Sequence, residues 1–353
     1  MPTLTRPNNP PVFSSLGTQY PVLSTALLSI GYPVPRQPPK IVVGDITVDL
    51  HAGELVCLIG PNGAGKSTLM RTLAGMQPLL SGTVLLQGDN IRSLQPRDLA
   101  RRLSLVLTER VDVGVLSAYA LVALGRFPYT DWAGTLTPAD EAVVRWAIQA
   151  VGAVELAGRN VGELSDGERQ KIMIARALAQ EPAVMLLDEP TAFLDLPRRA
   201  EMMQLLRGLA RQTGRAVLLS THDLDLALHN ADRIWLLPKG GPLHVGAPED
   251  LVLSGAFEAA FRTEGVQFDP YTGSFRTNIA PAGQVDLFGN GLPALWTTRA
   301  LERAGFCVVP NGDSSPIRID LIVQSGATRW RISRADKITE LNSLGELIDF
   351  LRL

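Results

Sequence analysis

An α/β fold followed by a small α+β module is what the 353-residue sequence predicts, and three observations predict it. Short apolar runs alternate with amphipathic helical patterns from Val22 to about Asn278. Several of those runs, ELVCLIG, AVMLLD and AVLLST among them, are continuously apolar rather than alternating, as suits strands covered on both faces of a sheet. Beyond Ala280-Pro281-Ala282-Gly283 a separate pattern of strands and two helices begins. The length is about twice the ~150 residues of a typical domain, so one large and one smaller domain are expected.

Met1 to Pro21 carry Pro2, Pro7, Pro10, Pro11 and Pro21 without periodicity, and residues 1–21 read as a flexible leader. In residues 22–279, TVLLQG, SLVLT and RIWLL join the three runs above as candidate strands. Helical spacing runs through Lys66–Met76, Asp140–Val151, Asp166–Gln180 and Arg198–Gln212. Residues 280–353 read as strand (Val285–Phe288), helix (Pro293–Ala304) and strand (Phe306–Val309). Strands Ile317–Val323 and Arg329–Ile332 follow, then a helix from about Thr339 on which Leu341, Leu344, Leu347, Ile348 and Leu351 recur.

Composition removes several function classes. With 33 Lys+Arg against 35 Asp+Glu the net charge is -2, which argues against a protein that coats nucleic acid. A chain that is 46% hydrophobic and 19% charged does not stay disordered through most of its length. Cys57 and Cys307 lie far apart in apolar stretches and read as buried thiols. No window approaches the ~18 consecutive apolar residues of a membrane span. The best early candidate, VLSTALLSIGY, is broken by Ser24, Thr25 and Ser29 and lacks the basic flank of a signal peptide. Work at a membrane would need another subunit to hold the chain there.

The strongest local signal is GPNGAGKST, Gly60 to Thr68, directly after the strand LVCLI and opening a helical stretch. Gly63 and Gly65 let the backbone turn its N–H groups inward around phosphates, and the helix N-terminus adds partial positive charge. Lys66 is placed to bridge the outer phosphates and Ser67 to ligate Mg²⁺; Gly60, Pro61, Asn62, Ala64 and Thr68 complete the loop. A matching acid is expected at the end of a neighbouring strand, and AVMLLDEP supplies it. Asp188 suits Mg²⁺ and Glu189 an attacking water, since two adjacent carboxylates at the end of an apolar strand are costly without a cation. His222 follows the strand AVLLST, at the strand end where α/β sheets place ligand-contacting groups.

Together with LSDGERQ, Leu164 to Gln170, these pieces resemble the nucleotide-binding subunit of an ABC transporter over roughly Val22 to Asn278. Five segments stand in the family's order: GPNGAGKST, the stretch around Glu109, LSDGE, MLLDEP and STHD. The resemblance implies a RecA-like core with antiparallel strands and a helical subdomain at about 95–163. It makes Tyr32 the aromatic that stacks on adenine, Glu109 the Q-loop residue and Asp195 the D-loop residue. In the family, the segment Leu164, Ser165, Asp166, Gly167 and Glu168 meets the γ-phosphate held by a second copy, so ATP and Mg²⁺ are sandwiched in a homodimer. Independently of the family, Ser165 followed by Glu168 is a capping-box pattern that starts a helix.

Departures are informative. Asp166 stands where the family usually has Gly, Glu168 where it has Gln, and Glu109 where it generally has Gln. A glutamate at 109 offers Mg²⁺ a full charge, as hard cations favour. The segment VALGRFPY, Val122 to Tyr129, is similar to the importer subgroup for iron-siderophore, haem and cobalamin complexes, although a helix ended by Pro128 explains the pattern equally. The resemblance therefore implies an ATPase on the cytoplasmic face of the inner membrane, partnered by integral-membrane permease subunits and indirectly by a solute-binding protein, with no nucleic acid. The alternatives are the ATPase of an exporter and an ABC ATPase without a permease. The last module shows no catalytic constellation; Arg329, Arg331 and Arg334 form a loose basic cluster that reads as a solvated strand face.

Overall fold

The computed structural model describes residues 20–108, 115–262, 266–270, 272–277, 282–324, 327–334 and 337–352. Most of the expected leader, and Glu109, lie outside them. The chain divides into two compact units near residue 262, the first also taking in Phe268–Phe275.

In the first unit the strands are β1 (Leu23–Tyr32), β2 (Lys40–Ile46), β3 (Asp49–Leu50), β4 (Leu55–Ile59), β5 (Ser81–Leu86), β6 (Asp89–Asn90), β7 (Leu103–Val106), β8 (Val184–Asp188), β9 (Ala216–Ser220), β10 (Arg233–Leu236) and β11 (His244–Gly246). The helices are α1 (Lys66–Leu73), α2 (Pro96–Arg102), α3 (Ala118–Ala123), α4 (Pro138–Ala150), α5 (Asp166–Ala179), α6 (Leu196–Thr213), α7 (Leu224–Asn230), α8 (Pro248–Leu253) and α9 (Ala256–Ala260). A hairpin of β12 (Val266–Asp269) and β13 (Ser274–Thr277) follows.

The main sheet has the order β11-β10-β4-β9-β8-β7, parallel throughout except for the edge strand β11. Its central strands β4, β8 and β9 are buried at every position, and apolar up to the Asp188 and Ser220 that end β8 and β9, because both faces are covered. Leu55, Cys57 and Ile59 of β4 join the helices on one side, whereas Val56 and Leu58 pack with Leu69, Met70 and Leu73 of α1 on the other. Strands β8 and β9 alternate in the same way. Each such leucine contributes about 1.5–3 kcal/mol when fully buried. Burial also pushes the Cys57 thiol well above its ordinary pKa, with Asp232 adding to the shift, so it stays a protonated core group.

TVLLQG does not belong to this sheet. It forms β5, antiparallel to β1, in a second sheet of order β2-β1-β5-β6 with β3 on β1. The run VLSTALLSIGY is thus a strand whose Leu23, Leu28 and Ile30 are buried against the far side of α1. Among the described residues no helix is long and apolar enough to cross a membrane.

GRFPY turns out to be a packing device. Gly125 lies so close to α5 that an added Cβ would meet the Arg176 carbonyl at 2.2 Å. Arg126 is 5% exposed, and its guanidinium donates to Asp140 (2.9 Å), to the Ala179 carbonyl (2.8 Å) and to Glu181 (2.8 Å) while lying 3.9 Å from the Tyr129 ring centroid. Asp140 also closes a capping box with Thr137 at the start of α4. Phe127 and Trp132, by contrast, stand 72% and 98% exposed.

In the second unit, β14 (Gly283–Phe288), α10 (Gly291–Arg303), β15 (Phe306–Pro310), β16 (Ile317–Gln324), β17 (Ala327–Arg334), β18 (Lys337–Leu341) and α11 (Leu344–Arg352) form a sheet of order β15-β14-β16-β17-β18 with two helices. Val285, Leu287, Leu301, Ile319, Trp330, Ile332 and Leu347 make its core. Two expectations are corrected here. The last helix begins at Leu344 rather than near Thr339, because Trp330↔Leu341 and Ile332↔Thr339 pair as strands. Cys307 is exposed, since it alternates with the buried Phe306 on an edge strand. Arg329 and Arg331 share the exposed face of β17, Arg331 paired with Glu340, whereas Arg334 falls on the opposite register.

Three substitutions test this packing. Arg126→Met should lower unfolding free energy by about 3–5 kcal/mol in denaturant titrations, because it strands two carboxylates without their cation. Burial alone would raise the Asp140 carboxyl, but the Thr137 hydroxyl and N–H together with Arg126 outweigh it and hold the group below its ordinary value. A depressed carboxylate contributes fully above the ordinary aspartate range and loses its contribution as pH falls through that range, so Asp140→Asn should flatten the acid limb of stability against pH. At Gly60 an added Cβ would meet the Leu237 carbonyl at 2.1 Å. Gly60→Ala should therefore cost about 1–3 kcal/mol in thermal melts by forcing the start of the Gly60–Gly65 loop away from Leu237.

Candidate functional site

Parallel strands that end at one edge of a sheet bring their C-terminal residues together. Here β4, β8 and β9 do so, with Leu58 opposite Ser220 and Ser220 opposite Asp188 in register. The loop Gly60–Gly65 leaves β4 and enters α1 through two glycines in the left-handed region, Gly63 at φ 77° and Gly65 at φ 108°. A side chain at Gly65 would also meet Val42 at 2.7 Å, so both conformation and space require glycine there.

Lys66 is 7% exposed and its Nζ donates to the carbonyls of Gly60 (2.8 Å) and Pro61 (3.3 Å). Burial lowers its pKa, and the carboxylates of Glu189 and Asp188 partly restore it. Asp188, also 7% exposed, accepts from Ser220 (2.6 Å) and from Ser67 (3.5 Å) at the same oxygen, while its own carbonyl accepts from Thr108 (2.6 Å). Ser220 in turn accepts from the Glu189 N–H at 2.9 Å. Glu189 adopts φ 49°, a strained region for a residue with a side chain, and its Oε1 lies 2.5 Å from His222 Nε2.

Tyr32, at the end of β1, hydrogen-bonds Thr68 at 3.0 Å and keeps half of its surface exposed. It lines a cleft of about 540 Å³ with residues 62–68, Glu189 and His222. Lys40, Val42 and Lys239 line the same cleft and had no signal in the sequence; Ser220 and Thr108 lay inside the segments STHD and LTER without being singled out.

The remaining expected residues gather elsewhere. Ser165 caps α5, accepting from the Glu168 N–H, and the Glu168 carboxylate reaches back to the Ser165 N–H at 2.9 Å. That bond, the Ser165 hydroxyl and then Arg159 hold the Glu168 carboxyl below its ordinary pKa. Asp166 leans towards Arg169 at 3.7 Å. Asp195 caps α6 by accepting from Arg198 N–H, and it lines a second cleft of about 610 Å³ with Ser165, Gly167 and Glu168. One chain thus carries the Gly60–Thr68 loop with Glu189 and His222 in one cleft and a capped helix N-terminus in another.

Residues 43–192 match the family model for ABC transporters, and residues 282–352 match that for the iron ABC transporter C-terminal domain. The chain is 37% identical over 76% of its length to a cobalamin import ATP-binding protein of Halobacterium salinarum, spanning 69% of that protein. It is 34% identical over 71% of its length to the iron(3+)-hydroxamate import ATP-binding protein of Bacillus subtilis, spanning 91% of it. Among solved structures, a metal-chelate type ABC transporter in an inward-facing conformation matches with TM-score 0.59 and 28% identity, covering 72% of this chain and 95% of that one. The chain belongs to the ATP-binding subunits of ABC transporters, in the iron-siderophore and cobalamin importer group, and ends in the iron ABC transporter C-terminal domain.

Proposed function

We propose that this ATPase subunit hydrolyses ATP between two copies of itself and thereby drives a permease that imports an iron complex or cobalamin. The observation that carries the reading is the Glu189–His222 pair, 2.5 Å apart in the cleft of the phosphate loop, while Ser165, Gly167 and Asp195 share a separate cleft. Two chains facing each other would bring the second cleft of one onto the first cleft of the other.

Residues 60–68 hold the triphosphate, Lys66 taking its outer charge, and Tyr32 stacks on adenine. Ser67 and Asp188 offer the oxygen donors a magnesium ion favours, a hydroxyl and a buried carboxylate 3.5 Å apart. Ser67 and Asp188 would hold the ion together with oxygens of the nucleotide phosphates. Magnesium, when bound, neutralises charge on the phosphates. Glu189 accepts a proton from the attacking water, and His222 Nε2 fixes that carboxylate and the water beside it. Glu109 stands in the Q-loop. The capped N-terminus at Ser165, with Gly167, approaches the partner's γ-phosphate with the partial positive charge of the helix dipole; the lean of Asp166 towards Arg169 keeps its charge off that anion.

Phe127 and Trp132 are exposed apolar groups of the segment that follows the buried Arg126 clamp, and they support docking of the helical region on permease subunits at the cytoplasmic face of the membrane. A solute-binding protein acts indirectly, on the far side of the permease.

Glu189→Gln should lower ATP turnover by about 10²–10⁴-fold and accumulate an ATP-bound dimer in size-exclusion chromatography. Wild-type turnover in that variant would remove the base assignment. Glu109→Gln should retain partial activity, and chelation of Mg²⁺ should abolish hydrolysis in the same assay. Growth of a deletion strain on iron chelates or cobalamin as the sole source identifies the cargo.

A further inference from the structure

The second unit contains a cavity that ATP chemistry does not use. It measures about 330 Å³ and lies between α10 and α11, at the small end of the ~300–1,000 Å³ range of ligand pockets. Its floor is Ala300 and Ile348, both buried core groups. On one wall stands Trp296, 51% exposed, with the Arg299 guanidinium 5.0 Å from its ring centroid. Arg303, one helical turn beyond Arg299, and Arg352 from the facing helix complete the rim.

Three guanidinium groups therefore line the same cavity as a half-bare indole, against a single carboxylate, Asp349. The concentration of positive charge is local, because the whole chain carries a net -2. Neither Arg303 nor Arg352 makes an ion pair with a described residue, whereas Arg318 and Arg331 of the same unit are both paired with carboxylates. Like charges held together around an exposed aromatic ring repel one another unless an anion joins them. Guanidinium forks match carboxylate and phosphate oxygens two at a time, and an indole face accepts a flat ring.

We propose that the α10–α11 groove is a binding site for a small planar aromatic anion. The ring lies against Trp296, and the acid group is held by Arg303 and Arg352. Aryl carboxylates and purine nucleoside monophosphates share that chemistry, and separate titrations distinguish them.

The test is tryptophan fluorescence of the full, nucleotide-free chain titrated with 2,3-dihydroxybenzoate in one arm and AMP in the other. Saturable quenching in either arm is expected, and the arm that saturates names the source of the anion. The quench should disappear in Trp296→Phe, which leaves Trp132, Trp146, Trp235 and Trp330 in place. Arg303→Gln and Arg352→Gln should each weaken binding about tenfold, the effect of losing roughly 1.4 kcal/mol of contact. Lys66→Ala should leave the signal intact, which separates the groove from the phosphate loop. Calorimetric melts of each variant check that the unit remains folded. Absence of saturable quenching with both probes would overturn the proposal, as would quenching that survives Trp296→Phe or both arginine substitutions.

Discussion

A carboxylate at the tip of a strand buried on both faces is the constraint on which the site depends. Asp188 is nearly inaccessible to water, and an ionised group in that position costs several kcal/mol unless it is hydrogen-bonded. Ser220 from β9 and Ser67 from α1 meet that need, so three separate segments are tied at one oxygen. The same Ser220 hydroxyl accepts the Glu189 N–H and helps to hold that residue in a strained backbone conformation. Charge is balanced within the same volume: the desolvated ammonium of Lys66 lies beside the two acids that partly restore its pKa.

The second constraint is mechanical. Helix α5 is 14 residues long, roughly 21 Å at 1.5 Å per residue. Its N-terminus is fixed by the Ser165–Glu168 capping box, and its C-terminal carbonyl at Ala179 is held by Arg126. The exposed Phe127 follows Arg126 directly in the chain, and the exposed Trp132 comes six positions after it. A single helix, clamped at both ends by charge-assisted hydrogen bonds, therefore joins the capped segment at Ser165 to the stretch that carries the exposed Phe127 and Trp132. Gly125 lets the two backbones approach closely enough for that clamp to form.

The departures at Asp166 and Glu168 acquire a physical reading from this geometry. Glu168 completes the capping box and meets Arg159, so its charge is used within the helix terminus. Asp166 is drawn along its own helix towards Arg169. Glu109, the third departure, lies outside the described residues, and its place rests on the sequence alone.

What the sequence determined by itself is local. The strand–loop–helix of residues 55–73, the capped start of α5, the acid pair closing β8 and the histidine after β9 were legible, because each is encoded by neighbours within a few positions. The iron-importer resemblance of GRFPY was legible too, but not its cause, since Arg126 meets Glu181 across 55 positions. Tertiary structure alone placed TVLLQG in the antiparallel sheet, turned Thr339 into strand and Cys307 outward, and recruited Ser220, Thr108, Lys40 and Lys239 to the site. Those outcomes depend on which segment lies alongside which. Pairing between distant strands leaves no periodic trace in either one, so only the packed chain decides it.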